Sequence, residues 1–242
     1  MRTNLPGGIR VVALGDDGAR LAEAGLGHGE HPEVVLGACG WALGAPASAT
    51  VRADGALELA FRVRPLDGIR PRAAPVPRDA GVGDDEVGEP YQRVAAYAVV
   101  TSDRGLLLTQ FDAQTNLVGD WGLPGGGLDD GESPVDGVHR EVWEETGQRI
   151  VLGELVTVQS DHWVGRAPGG ALEDFHAVRI VYAATCPEPT DVVVHDVGGT
   201  TSDARWVPFD EVDDYPLTSS SRRLALLGGL RVPRSAGEYD AP

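Results

Sequence analysis

Residues 126–147, GGLDDGESPVDGVHREVWEETG, constrain this chain more than any other stretch. Gly125-Gly126-Gly127 runs into an acidic turn ending at Glu132, and Ser133-Pro134 then opens a helix. Serine is a favoured N-cap, and proline suits the first helical position, where its missing N–H is not needed. Asp136, three residues after Ser133, stands as a shorter version of the capping-box acid. Gly147 closes the helix as a C′ glycine. At roughly 100° per residue, Val135, Val138 and Val142 form one stripe. Glu141, Glu144 and Glu145 form an adjacent stripe, related by i+3 and i+4. Carboxylates crowded on one helix face repel one another, so helix stability gives no reason for them. A hard divalent cation does, because Mg2+ takes carboxylate oxygens together with substrate phosphate.

The stretch resembles the Nudix box of the Nudix hydrolases. Gly126, then five residues, Glu132, then seven residues, lead into Arg140-Glu141-Val142, with Glu144, Glu145 and Gly147 completing the pattern. Gln148 stands where the box usually carries an aliphatic residue, and Ile150 is expected to take over that packing role. The resemblance implies an α/β fold, a Nudix-like α/β/α sandwich with a mixed sheet, over residues 91–231. It also implies a Mg2+-dependent hydrolase, with Mn2+ as the other fitting cation, that cleaves the diphosphate linkage of a nucleoside diphosphate derivative. Water attacks a diphosphate slowly because the target is already anionic, so cations must neutralise its oxygens and lower the pKa of the water.

On the same resemblance, Glu141, Glu144 and Glu145 are the metal ligands, with the Gly126 carbonyl as a further candidate. Arg140 is expected to fix a box glutamate, with phosphate contact as the lesser reading. Glu132 is expected to orient the loop, with a substrate contact as its other reading. The general base is either a box glutamate or an acid from a later loop. Asp203, just before the last expected strand, leads that group, with Asp174 and Asp196 as alternatives. Trp121 is a candidate for stacking on a base, although a tryptophan ahead of Leu-Pro-Gly-Gly more often packs as structure. Asp161-His162-Trp163 and the expected loop 164–173 show no substrate signature. Gly198-Gly199-Thr200-Thr201 reads as a plain turn before a phosphate cradle. Two other classes fit the box less well. A binding or regulatory module without turnover would not need every charged box position, and an isoprenoid-diphosphate isomerase would be expected to carry a cysteine near the box.

Ahead of the box the chain reads as a small β-rich domain, residues 1–68. Ile9 to Leu14 is an expected strand and Ala19 to Ala24 an expected short helix. Ala49 to Ala53 and Ala56 to Arg64 flank Asp54-Gly55, a strong hairpin turn. Leu57, Leu59, Phe61 and Val63 alternate with more polar residues, so one hairpin face must pack on something: the rest of the chain or, in a homodimer, a second copy. His28 and His31 lie in a glycine-rich loop and read as solvated surface more readily than as metal ligands. Residues 69–90, rich in Pro, Gly and Asp, read as a linker. Residues 232–242 read as a tail.

The net charge of -17 argues against long nucleic acids as partners, since their binding rests on phosphate neutralisation. No apolar run approaches the ~20 residues of a membrane-spanning helix, and no signal peptide is visible. Cys39 and Cys186 match no metal or redox spacing and are expected as buried free thiols in a reducing cytoplasm.

Overall fold

The computed structural model describes residues 5, 7–115, 117–196 and 199–227. The expected tail, residues 228–231 of the expected Nudix domain, and Gly198 lie outside the described residues. The chain divides into two compact units. One comprises Met1–Tyr97, Gly125–Val138 and Glu154–Tyr182; the other comprises Ala98–Pro124, His139–Gly153 and Ala183–Pro242.

The first unit opens with strands β1 (Ile9–Leu14) and β2 (Arg20–Leu26), helix α1 (Pro32–Ala38), and strands β3 (Trp41–Val51) and β4 (Leu57–Pro65). They form a separate sheet in the order β2-β1-β4-β3, with β1 parallel to β4 and the other pairs antiparallel. The β3–β4 hairpin turns at Asp54-Gly55 as expected. Gly55 has φ 78°, and the Arg52 N–H donates to the Ala56 carbonyl at 2.8 Å. Leu57, Leu59, Phe61 and Val63 are buried. Ala60 on the other face is buried too, and β4 lies between β1 and β3.

The short helix expected over residues 19–24 is instead strand β2. Gly15 to Ala19 reverses the chain: the Gly15 N–H donates to the Ala19 carbonyl at 2.9 Å, Gly18 has φ 80°, and Asp17 Oδ1 accepts from the Ala19 N–H. This delivers Arg20–Leu26 to the open edge of β1. A helix of six residues satisfies few of its own polar groups, whereas pairing along β1 satisfies one side of the strand. Cys39 sits at the C-cap of α1 and is exposed, which corrects its expected burial; Cys186 is buried as expected. The 69–90 segment is extended and anchored within this unit. The Asp79 N–H donates to the Val164 carbonyl, the Val164 N–H donates to the Pro77 carbonyl, and Arg78 Nη1 bonds the carbonyls of Gly83 and Glu86.

The remaining elements are β5 (Glu89–Ser102), β6 (Gly105–Phe111), β7 (Trp121–Gly122), β8 (Gly125–Gly127), α2 (Pro134–Thr146), β9 (Val151–Arg166), β10 (Leu172–Thr185), β11 (Thr201–Val207), a 3-10 turn at Val212–Asp214, and α3 (Ser219–Leu227). Their strands run in the order β11-β6-β5-β10-β9, with β7 on β6 and β8 on β5. The result is an α/β fold with a separate N-terminal sheet. β10 is interior to its sheet, between β5 and β9. β9 is one long strand that runs on into the loop expected from residue 164, so Asp161-His162-Trp163 lies on a strand. Gly153 does not break it. A Cβ there would meet the Ala183 carbonyl oxygen at 3.3 Å, so the glycine marks a close approach of neighbouring backbone. His176 on β10 is wholly buried, with Nδ1 2.8 Å from Gln92 Nε2 and Nε2 2.8 Å from Ser160 Oγ. Burial first, then the neighbouring His28 and His162, pushes its pKa down to about 4.

Gly125 is the tightest backbone position in the glycine loop. Its φ is 139°, and a Cβ would stand 2.3 Å from the Ala96 carbonyl oxygen. Gly125→Ala must therefore push β8 off β5. The expected cost is about 2 kcal/mol or more, read as a fall of several degrees in the thermal midpoint. An unchanged midpoint would contradict the close pairing of these strands.

Candidate active site

Helix α2 begins as its sequence dictates. Ser133 Oγ accepts from the Asp136 N–H at 3.1 Å and donates to Asp136 Oδ2 at 2.7 Å. Asp136 thus bonds the serine hydroxyl instead of the serine backbone. Glu132 orients the preceding turn, accepting from the Asp129 N–H at 2.9 Å. Gly137 leaves room for it, since a Cβ there would lie 3.0 Å from Glu132 Oε2. Val138 and Val142 are buried, but Val135 is exposed, so the apolar stripe starts one turn later than its spacing suggested. Gly147 takes φ 71°, and the N–H groups of Val193 and His195 bond the carbonyls of Thr146 and Glu144. The carbonyls at the end of the helix thereby find partners.

The three box glutamates occupy the last two turns. Arg140 Nη1 reaches Glu141 Oε1 at 2.9 Å and Glu144 Oε2 at 3.0 Å, so one nitrogen holds both carboxylates. Glu145 is only 6% exposed, and Thr201 Oγ1 at the start of β11 donates to it at 2.5 Å. A carboxyl group is costly to bury without compensation, and negative charge near a helix C-terminus opposes the helix dipole. Hard oxygen donors concentrated in this way fit a divalent cation such as Mg2+. Thr201 was not singled out from the sequence beyond its place in a turn. Nothing in sequence spacing ties residue 201 to residue 145.

Other expected site residues lie elsewhere or are already engaged. Gly126 pairs with Ala96 on β5. Trp121 is 5% exposed, with Tyr215 edge-on to its ring and the Arg205 guanidinium 5.4 Å from the ring centre. It packs as structure and offers no face to a base. Asp203 lies within β11, not before it. Its Oδ2 accepts from Arg205 Nε and Nη2 at 3.0 and 2.8 Å, and its Oδ1 accepts from the Ala204 N–H. Both of its oxygens are thus engaged by neighbours on the same strand. Asp174 lies against His28 and His162. Burial raises its carboxyl pKa, but hydrogen bonds from the two histidines outweigh this and hold it below the usual carboxylate value. Asp196 Oδ2 accepts from the Thr200 N–H, closing a turn.

Gln148 is buried, and its amide is used in full. Nε2 donates to the Thr146 carbonyl and Thr190 Oγ1 at 3.1 Å, while Oε1 accepts from the Thr190 N–H at 3.0 Å. The box departure therefore exchanges an apolar contact for an anchor on the 186–191 segment. Ile150 is buried, as the packing argument required.

The NUDIX domain matches residues 91–226, more than half of the chain. The chain belongs to the Nudix family. It is 27% identical over 142 residues to the nucleoside triphosphatase NudI of Salmonella schwarzengrund, covering 57% of this chain and 98% of that protein. Among solved structures, a MutT Nudix hydrolase from Burkholderia pseudomallei is 27% identical, with 58% of this chain and 98% of that one covered and a TM-score of 0.41. A MutT protein from Methanosarcina mazei Go1 is 23% identical, covers 60% and 96%, and has a TM-score of 0.46. The Nudix chain described here is thus a hydrolase acting on acid anhydrides, of a family that generally requires a divalent metal. Among the described residues no helix is long and apolar enough to cross a membrane.

Thr201 positions Glu145. Thr201→Val keeps the side-chain shape and removes the donor. Losing a hydrogen bond to a buried carboxyl group is expected to cost about 1–3 kcal/mol, seen as a lower denaturant midpoint. A midpoint equal to that of the parent would mean that the Thr201–Glu145 contact contributes nothing.

Proposed function

We propose that this protein is a Mg2+-dependent hydrolase of a nucleoside triphosphate or nucleoside diphosphate derivative, with Mn2+ as a substitute cation. The observation that carries this reading is the buried Glu145 beside Glu141 and Glu144, an arrangement that opposes both like-charge repulsion and the helix dipole. Its likeness to a nucleoside triphosphatase over nearly that protein's whole length supports the substrate class. Two free cysteines fit a cytoplasmic setting.

In this reading Glu141, Glu144 and Glu145 hold the cation. A bound divalent cation neutralises phosphate oxygens and makes water a better nucleophile. The attacking water forms a P–O bond, the anhydride P–O bond breaks, and the leaving phosphate carries away the electron pair. Glu144, whose side chain is the most exposed of the three, accepts the proton of the water. Arg140 fixes the orientation of Glu141 and Glu144. Glu132 shapes the loop ahead of the helix.

A panel of nucleoside triphosphates, nucleotide sugars and dinucleotides, assayed with Mg2+ for released phosphate, pyrophosphate or nucleoside monophosphate, tests the reading. It requires turnover of at least one. Tight binding of a panel member without any release would favour a regulatory module instead.

Glu144→Gln removes a like charge but also a half-buried partner of Arg140, and an i,i+4 helix pair contributes only about 0.3–0.5 kcal/mol. Metal-free stability should therefore change by no more than about 0.5 kcal/mol. Activity at saturating Mg2+ should fall ~10²–10⁴-fold. Wild-type turnover in this variant would remove Glu144 from the mechanism.

Asp203→Asn separates the two base candidates. With its carboxylate committed to Arg205, the substitution should leave kcat within about threefold and the pH–rate profile unshifted. A loss of ~10²-fold with little change in KM would return the role of base to Asp203.

A further inference from the structure

We propose that His28, His162 and Asp174 form a second metal site, distinct from the box, for one divalent transition-metal ion of the Zn2+ type. Its ligand atoms are contributed by the loop after β2, by β9 and by β10, all within the first compact unit.

His28 is far in sequence from His162 and Asp174, yet the ligand atoms of all three lie within 4.8 Å of one another. His28 Nε2 is 3.4 Å from Asp174 Oδ1, and His162 Nε2 contacts the same oxygen. Two imidazoles and one carboxylate form a three-ligand set suited to zinc and its neighbours, with a fourth position left for water. This set is softer than the all-carboxylate box, so the two sites should select different ions. One carboxylate and two neutral imidazoles carry a single negative charge, which a divalent ion overcompensates.

The surroundings hold these ligands in place. The His28 loop is cinched by the Gly27 N–H, which donates to Glu30 Oε2 at 2.7 Å. Ser160 Oγ on β9 donates to the Glu30 carbonyl at 2.8 Å, fastening the loop to the strand. Gly29, at φ 71°, lies so close over His162 that a Cβ would stand 2.5 Å from its ring. On the other side of Asp174, a Cβ at Gly88 would meet the Asp174 backbone nitrogen at 2.4 Å. His176 is a wall of the site, not a ligand. Its ring packs edge-on against His28 and His162 at 5.6 and 6.2 Å, and both of its nitrogens are engaged. Since Ser160 spends its only proton on Glu30, its oxygen accepts from His176 Nε2–H, and His176 Nδ1 accepts from Gln92. The ion would clamp the N-terminal loop to two strands that follow the box.

The competing arrangement is a hydrogen-bonded His–Asp–His group without metal. The full chain, made without a polyhistidine tag and stripped with chelator, would be titrated with Zn2+ and with Co2+ in excess Mg2+. The expected result is one Co2+ per chain with a visible ligand-field spectrum, one competing Zn2+, and a higher thermal midpoint on Zn2+ loading. His28→Ala, a change on an exposed loop, should weaken Zn2+ binding by at least ~10-fold. Asp174→Asn, which keeps the shape of the side chain, should do the same. Glu144→Gln should bind Zn2+ like the parent, and this readout does not depend on hydrolytic turnover. Absence of stoichiometric Co2+ binding in the parent, or equal Zn2+ affinity in His28→Ala, would overturn the proposal in favour of the metal-free group.

Discussion

Placing carboxylates in the last turns of helix α2 is the constraint around which this end of the protein is organised. Acids at that end face the negative pole of the helix dipole and one another. The helix tolerates them because its other residues are secured. Val138 and Val142 are wholly buried, Ser133 caps its start, and the 193–195 backbone bonds the carbonyls at its end. Arg140 pairs with the two half-buried carboxylates, and Thr201 supports the buried one. The arrangement is costly by itself and becomes favourable once a cation is present. That difference is the physical meaning of the box.

The glycines around the box contribute through space. Gly125 permits backbone contact with β5, Gly137 makes room for Glu132, and Gly147 turns the chain out of the helix. Gln148 shows how a motif can depart from its family without losing the packing. The apolar role moves to Ile150, and the amide anchors the segment around Thr190.

In the first compact unit, histidines follow a different logic. His176 is buried with both nitrogens matched, which makes it part of the core. His28 and His162 share the carboxylate of Asp174, half-buried and pre-oriented by Ser160, Gly29 and Gly88. A loop that looks like solvated surface in sequence thereby joins two strands of the Nudix region.

The sequence by itself determined the features whose signals are local. The Ser133 cap, the carboxylate stripe, the Gly147 stop, the Asp54-Gly55 hairpin and the membership of the Nudix family are written in short spacings, because helix and turn geometry repeat over three or four residues. Only the tertiary structure decided features that depend on a distant partner. Residues 20–26 became a strand because the edge of β1 was open to them. Trp121 became core because Tyr215 and Arg205 cover it, and Asp203 was captured by Arg205 within a strand. The Thr201 donor to Glu145 and the meeting of His28 with His162 and Asp174 join residues separated by tens of positions. Side-chain periodicity carries no information about such pairings; strand order and chain reversal create them.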